Sequence, residues 1–126
     1  MRASYVRHGL GAVRPYLYGQ PDLVDFVTQV FGATIVEQVG DMTDAHIEAQ
    51  IGDSMIVLEI GGEVTSPTYS SVYVYVEDVD ATYKRALQAG ATSLAEPKDK
   101  PYQDRNAGVK DTFGNTWWIG TYLGKR

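Results

Sequence analysis

Cysteine is absent from this 126-residue chain, which rules out disulfides and thiolate metal sites. A chain without cysteine suits a reducing cytoplasm. Basic runs are missing too. The formal net charge is -5 and no Lys/Arg block occurs, so nucleic acid and anionic membrane surfaces are not expected partners. No apolar run approaches the roughly 20 residues that a membrane span needs. The opening Met1-Arg2-Ala3-Ser4-Tyr5 lacks the apolar core of a secretory signal. Histidine is scarce, with only His8 and His46. What is present is a 44% hydrophobic content, enough for a core within the length of one domain. These features predict a soluble cytoplasmic globule.

Residues 1–12, with Gly9 and Gly11, show no period and read as a loose lead-in in which His8 has no special role. From Val13 the chain alternates, with Val13, Pro15 and Leu17 on one face and Arg14, Tyr16 and Tyr18 on the other. Pro15 places this strand at an edge or marks its start. Pro21 and Asp22 open a helix whose stripe is Leu23, Phe26, Val27, Val30 and Phe31, and Gly32 stops it. Thr34 to Val39 reads as a strand. Asp44 to Ile51 and Ser54 to Ile60 form a hairpin around the two-residue turn Gly52-Asp53.

The second half repeats this order. Ser71 to Val76 alternates valines against Ser71, Tyr73 and Tyr75. Asp78 is suited to cap a helix with stripe Val79, Tyr83, Ala86 and Leu87, and Asp80 and Lys84 are spaced to pair on its wet side. Gly90 ends that helix. A strand through Thr92 and Leu94 follows, then a polar loop from Pro97 to Gln103, then Gly108 to Asp111 and Asn115 to Tyr122 around a turn at Thr112-Phe113-Gly114. Phe31-Gly32-Ala33-Thr34 is echoed by Ala89-Gly90-Ala91-Thr92, 58 positions on (31 to 89), directly after a helix in both halves. A fixed offset is the mark of an internal repeat. The prediction is an α+β fold of two βαβββ modules, module 1 over about 13–62 and module 2 over about 69–124, in a single domain spanning 13–126. The alternative is an unduplicated α+β sandwich.

Several phrases carry a family resemblance: Pro15-Tyr16-Leu17, Val30-Phe31-Gly32-Ala33, Ile51-Gly52-Asp53-Ser54, Val76-Glu77-Asp78-Val79-Asp80-Ala81, Asp104-Arg105, and Asp111-Thr112-Phe113-Gly114-Asn115-Thr116-Trp117. In this order and spacing, from about Val13 to Tyr122, the chain resembles the vicinal oxygen chelate superfamily of glyoxalases, bleomycin-resistance proteins and dioxygenases. It resembles the PhnB-like branch in particular. The resemblance implies sheets curled into a cup with helices outside, a ligand or metal inside, and a homodimer. The chain departs from the pattern in beginning its first helix about two residues early and in reading Asp111-Thr112 where Asp-Pro is usual.

By alternation, the face away from the helices receives Arg14, Tyr16 and Tyr18, then His46, Glu48 and Gln50, then Met55, Val57 and Glu59. In the second half it receives Ser71, Tyr73, Tyr75 and Trp118, with Trp117 in the core. Hairpin register sets His46 opposite Glu59 and Val57 beside Glu48. The resemblance maps the superfamily's metal positions onto Arg14, Glu59, Ser71 and Trp118. Only Glu59 is a metal ligand by nature, since guanidinium and indole cannot ligate and a neutral serine does so poorly. No metal is therefore favoured. A divalent metal, if present, would use His46 and Glu59. His46 between carboxylates is otherwise a cross-strand ion pair or an acid–base group with a raised pKa. Arg14 can pair a ligand anion or neutralise Glu59. Arg105 is expected to clamp a loop through Asp104 or Asp111.

Nine Tyr against three Phe points to amphipathic walls, because a buried hydroxyl needs a partner that Phe does not. Strand propensity alone also favours Tyr. The leading expectation is a metal-free protein that binds a small, aromatic or cationic molecule through Arg14, Tyr16, Tyr18, His46, Glu48, Val57, Glu59, Ser71, Tyr73, Tyr75 and Trp118. The alternative is a divalent-metal-dependent lyase, isomerase or dioxygenase using His46 and Glu59. A ligand-free regulatory module is the remaining reading.

Overall fold

A computed structural model of the chain describes residues 5–62 and 68–124. Its element order is a 3-10 turn (Arg7–Gly9), β1 (Tyr16–Gly19), α1 (Pro21–Phe31), β2 (Thr34–Val39), β3 (Asp44–Ile51), β4 (Ser54–Gly61), β5 (Ser71–Tyr75), α2 (Val79–Gln88), β6 (Thr92–Asp99), β7 (Asp104–Lys110) and β8 (Thr116–Tyr122). This is the α+β arrangement of two βαβββ modules. Each module builds one open, mixed four-stranded sheet, ordered β1-β4-β3-β2 and β5-β8-β7-β6. In both, the outer first strand runs parallel to the last and the remaining pairs are antiparallel. The described residues of 1–28 and 32–68 form one compact unit, and those of 29–31 and 69–126 form the other. Among the described residues no helix is long and apolar enough to cross a membrane.

The repeated Gly-Ala-Thr marks the same event twice. Gly32 and Gly90 take positive φ (66° and 102°), and Ala33 and Ala91 reach back to the carbonyls of Val27 and Ala86. That left-handed helix closure is cheap only for glycine, and it turns the chain directly into β2 and β6. The stripe of α1 is buried as its spacing predicts, at Leu23, Phe26, Val27 and Val30. On α2, which packs across β6, β7 and β8, Val79 and Ala86 are buried. Leu87 is exposed, and Thr82 takes the inward position instead. Asp78 caps α2 by accepting from the Ala81 N–H (3.0 Å). Asp80 bonds Arg105 rather than Lys84.

Three boundaries differ from the sequence expectation. β1 starts at Tyr16, not Val13, which is 89% exposed; Pro15 contributes only its carbonyl, to the Val57 N–H (2.9 Å). The polar stretch read as a loop continues β6 as far as Asp99, and β7 begins at Asp104 rather than Gly108. Irregularities between Ser93 and Ala95 and between Ala95 and Lys98 break the strand's period of two, which hid it in the sequence. Finally, residues 5–12 are not loose. Arg7 and His8 both bond Glu37 of β2, and Gly11, at φ 80°, lies against Met55 where a Cβ would come within 2.8 Å of that side chain. His8 therefore has a structural role. Residues 1–4 of the expected lead-in lie outside the described residues.

The phrase Asp111 to Trp117 is a buried polar hub. One Asp111 oxygen accepts from the N–H groups of Phe113 (2.9 Å) and Asn115 (3.0 Å), and the other from the Asn115 amide (3.0 Å) and the Trp117 indole (2.9 Å). The Asn115 amide oxygen in turn accepts from the Ser70 N–H (3.0 Å). One carboxylate thus shapes the β7–β8 turn and satisfies the fully buried Trp117. Replacing Asp111 with Ala removes all four of these hydrogen bonds. Chemical denaturation should show a loss of about 2–4 kcal/mol, and a loss indistinguishable from that of an exposed-site control would contradict the hub.

Candidate functional site

In the first unit the hairpin register places His46 opposite Glu59, Glu48 opposite Val57 and Gln50 opposite Met55. β1 adds Tyr16 beside Val57 and Tyr18 beside Glu59. These residues share one face, as alternation predicts. Glu37 joins them, paired with Glu48 across β2 and β3.

The charges on this face form a closed chain. Arg14, just ahead of β1, donates to one oxygen of Glu48 (2.6 Å), while His46 Nε2 contacts the other. His46 Nδ1 contacts Glu59. Arg14 therefore serves the buried Glu48 and not Glu59, correcting the expectation. Three more of its N–H groups go to backbone carbonyls of Arg7, Leu10 (2.9 Å) and Gly11 (2.8 Å). Both His46 nitrogens face carboxyl oxygens, an arrangement that favours the protonated ring. Partial burial works against that charge, but the bonds from Glu48 and Glu59 outweigh it and raise the His46 pKa above its ordinary 6.5. The order cation, anion, cation, anion runs from Arg14 through Glu48 and His46 to Glu59. Tyr16 meets the His46 ring edge-on, centroids 6.3 Å apart. At the margin, the Arg7 guanidinium, opposed by burial and helped by His8, holds the Glu37 carboxyl down at about 2.

His46 and Glu59 are the metal-ligating side chains the sequence singled out, and in this structure they contact each other. Of the positions the family resemblance maps to metal, Arg14 is engaged and cannot ligate, and Trp118 cannot ligate either. Among the described residues no group of three or more His, Asp or Glu is placed to hold a metal ion.

In the second unit Ser71, Tyr73 and Tyr75 of β5 share a face with Trp118 of β8, since Ser71 pairs Thr116 and Tyr73 pairs Trp118. Two glycines shape that face. A Cβ at Gly108 would come within 2.6 Å of the Trp118 ring, and one at Gly120 would collide with the Tyr73 phenol. The rings therefore lie down over glycine backbone. Three residues were missed by the sequence reading. Asp104 accepts from the hydroxyls of Tyr73 (2.7 Å) and Tyr75 (3.0 Å). Asn106 donates to the hydroxyls of Tyr73 (3.3 Å) and Tyr102 (2.9 Å). Burial, then the bond to Asp104, pushes the Tyr73 phenol up to about 12. Arg105, next to Asp104 in sequence, bonds Asp99 (3.0 Å) and Asp80 (2.9 Å) rather than Asp104 or Asp111. The signal for this cluster was the alternation Asp104, Asn106, Gly108, hidden by the polar run before it.

Residues 20–119 match the family model described as "Glyoxalase/Bleomycin resistance protein/Dioxygenase superfamily". The chain belongs to that superfamily. Among solved structures similar to this member, TioX from Micromonospora sp. ML1 has a TM-score of 0.67 at 26% identity, covering 89% of this chain and 100% of that one. A glyoxalase/bleomycin resistance protein/dioxygenase family enzyme from Burkholderia phytofirmans PsJN reaches a TM-score of 0.72 at 19% identity, covering 90% and 99%. The fosfomycin resistance protein FosX of Listeria monocytogenes, complexed with Mn(II) and sulfate, reaches 0.67 at 18%, covering 88% and 91%. Both of these last two share the fold. Uncharacterized proteins of Mycobacterium bovis and Mycobacterium tuberculosis are 39% identical over 69 residues. The match takes in 55% of this chain but only 42% and 38% of those proteins' length.

The raised pKa of His46 makes a pH prediction. Because the folded pKa of His46 is raised, its contribution to stability is fully present below 6.5 and is lost as pH rises through the raised value. Denaturation midpoints should fall across that window in the parent and not in His46→Gln. Equal slopes in both would mean that His46 is not held charged by Glu48 and Glu59.

Proposed function

We propose that this superfamily member is a metal-independent binding protein for a small organic molecule, which lies on the aromatic face of the second sheet. The observation that carries the reading is the pair of rings, Tyr73 and Trp118, laid over Gly120 and Gly108. A ring backed by bare backbone presents its outer face, and the hydroxyls of Tyr73 and Tyr75 are held in place by Asp104. Such a surface favours stacking with a planar ligand. Ser71, at the end of β5, borders this surface.

The competing reading, a divalent-metal-dependent lyase, isomerase or dioxygenase using His46 and Glu59, requires one His46 nitrogen to exchange its carboxylate contact for the metal. Its best support is Glu59 at a family metal position. We further assign the protein to the PhnB-like branch on the order and spacing of the phrases from Pro15-Tyr16-Leu17 to Asp111–Trp117, taken together. We take residues 13–126 as one functional domain that works as a homodimer, as the family resemblance implies, in the cytoplasm that a chain without cysteine suits.

A panel of neutral and charged aromatic compounds, followed by Trp fluorescence and thermal shift, tests the reading. Trp117 is fully buried, so Trp118 should report binding. A binding compound should raise the melting temperature, and Tyr73→Ala should weaken it about tenfold. Nickel, zinc, manganese and ferrous iron should leave the melting temperature unchanged. Metal-dependent stabilisation that disappears in His46→Ala, with no response to any compound, would transfer the assignment to the enzyme reading.

A further inference from the structure

The two units treat their carboxylates differently. In the first, Glu48 and Glu59 are each matched by a cation, Arg14 or His46. In the second, Asp104 is 5% exposed, yet among the described residues no ion pair involves it. Its sequence neighbour Arg105 is spent on Asp80 and Asp99. Tyr73 and Tyr75 donate hydrogen bonds to one Asp104 oxygen, which stabilises the carboxylate but cannot cancel its charge. A buried carboxylate without a counter-charge is costly, and a cation brought beside it relieves that cost.

Four tyrosines lie near this charge, two of them with their hydroxyls on it. Tyr73 and Tyr75 pack against each other with centroids 5.1 Å apart. Tyr102 is tied to the same cluster through Asn106, whose amide reaches both the Tyr102 and Tyr73 hydroxyls. Tyr122 lies directly across the ladder from Asp104. These rings are well exposed: 40% for Tyr73, 63% for Tyr75, 60% for Tyr102 and 59% for Tyr122. Surface tyrosines gathered on a buried negative charge offer two attractions to one kind of group. The carboxylate supplies the charge, and the ring faces supply cation–π contact. A bare metal ion is a poor occupant, because a hard cation wants several oxygen ligands and one carboxylate with phenols does not provide them. A substituted ammonium group is large, weakly hydrated and carries its charge on alkyl carbon, which matches ring faces around a single carboxylate.

We infer that the second sheet holds a site for a substituted ammonium group, with Asp104 as the counter-charge and Tyr73, Tyr75, Tyr102 and Tyr122 as its ring faces. The inference deepens the proposed function, since it rests on that same face receiving the ligand, and it narrows the ligand to an organic cation.

Choline and its neutral isostere 3,3-dimethylbutan-1-ol differ in charge and hardly in shape, so the full chain titrated with each by calorimetry or NMR isolates the charge. Choline should bind about tenfold more tightly than the alcohol. Asp104→Asn should erase the difference. Should that variant not fold, Tyr75→Leu decides, because Tyr75 is exposed and its loss should spare the melting temperature while weakening choline several-fold. Equal binding of choline and the alcohol, no choline binding, or unchanged choline affinity in a folded variant would each overturn the inference. A panel in which neutral aromatics bind while choline shows no preference would overturn this inference alone. A panel in which nothing binds would remove the proposed function as well.

Discussion

A four-stranded sheet accompanied by a single helix has cover enough for one face. Each βαβββ module supplies one helix, and the remaining face must be stabilised by other means. Everything distinctive about this chain follows from how its two modules solve that same problem. The first closes its second face with alternating charges and a segment of its own chain. The second leaves its face open and lines it with rings.

In the first module the solution is electrostatic. Glu48 is held in the interior by Arg14 and His46 together, and His46 is held charged by Glu48 and Glu59. Each member is the condition for the next, so removing one leaves a buried charge without a partner. A face whose donors are all committed to each other is a structural element first. In the second module the solution is steric and aromatic. Gly108 and Gly120 clear the sheet surface so that Trp118 and Tyr73 can lie on it, and Asp104 and Asn106 gather the tyrosine hydroxyls. That face remains accessible.

The fold was legible because its turns are short and its caps are specific. A two-residue turn at Gly52-Asp53 leaves one register for the hairpin, so His46 opposite Glu59 could be read directly from spacing. The repeated helix closure at Gly32 and Gly90 exposed the duplication. The site was less legible where the chain departs from strict alternation. Irregularities in β6 made a strand look like a polar loop, and with it went the start of β7 and Asp104. Arg14 was expected to pair a ligand anion or neutralise Glu59, because alternation gives the face a side chain takes and not the partner that a long guanidinium reaches. Residues 5–12 lacked periodicity for a different reason: they are fixed by ion pairs and backbone contacts, which leave no repeating apolar trace.

Those residues change where the folding unit of the first module begins. Glu48 sits 34 positions after Arg14, and Arg14 in turn donates to the carbonyls of Arg7, Leu10 and Gly11. The segment therefore acts as a clasp, and its sequence cannot drift independently of the hairpin beneath it. Arg14 and Glu48 can be exchanged only as a pair, and Gly11 only together with Met55. In relatives that keep this clasp, substitutions at those positions should travel together, whereas the tyrosines of the open face are free to change with the ligand.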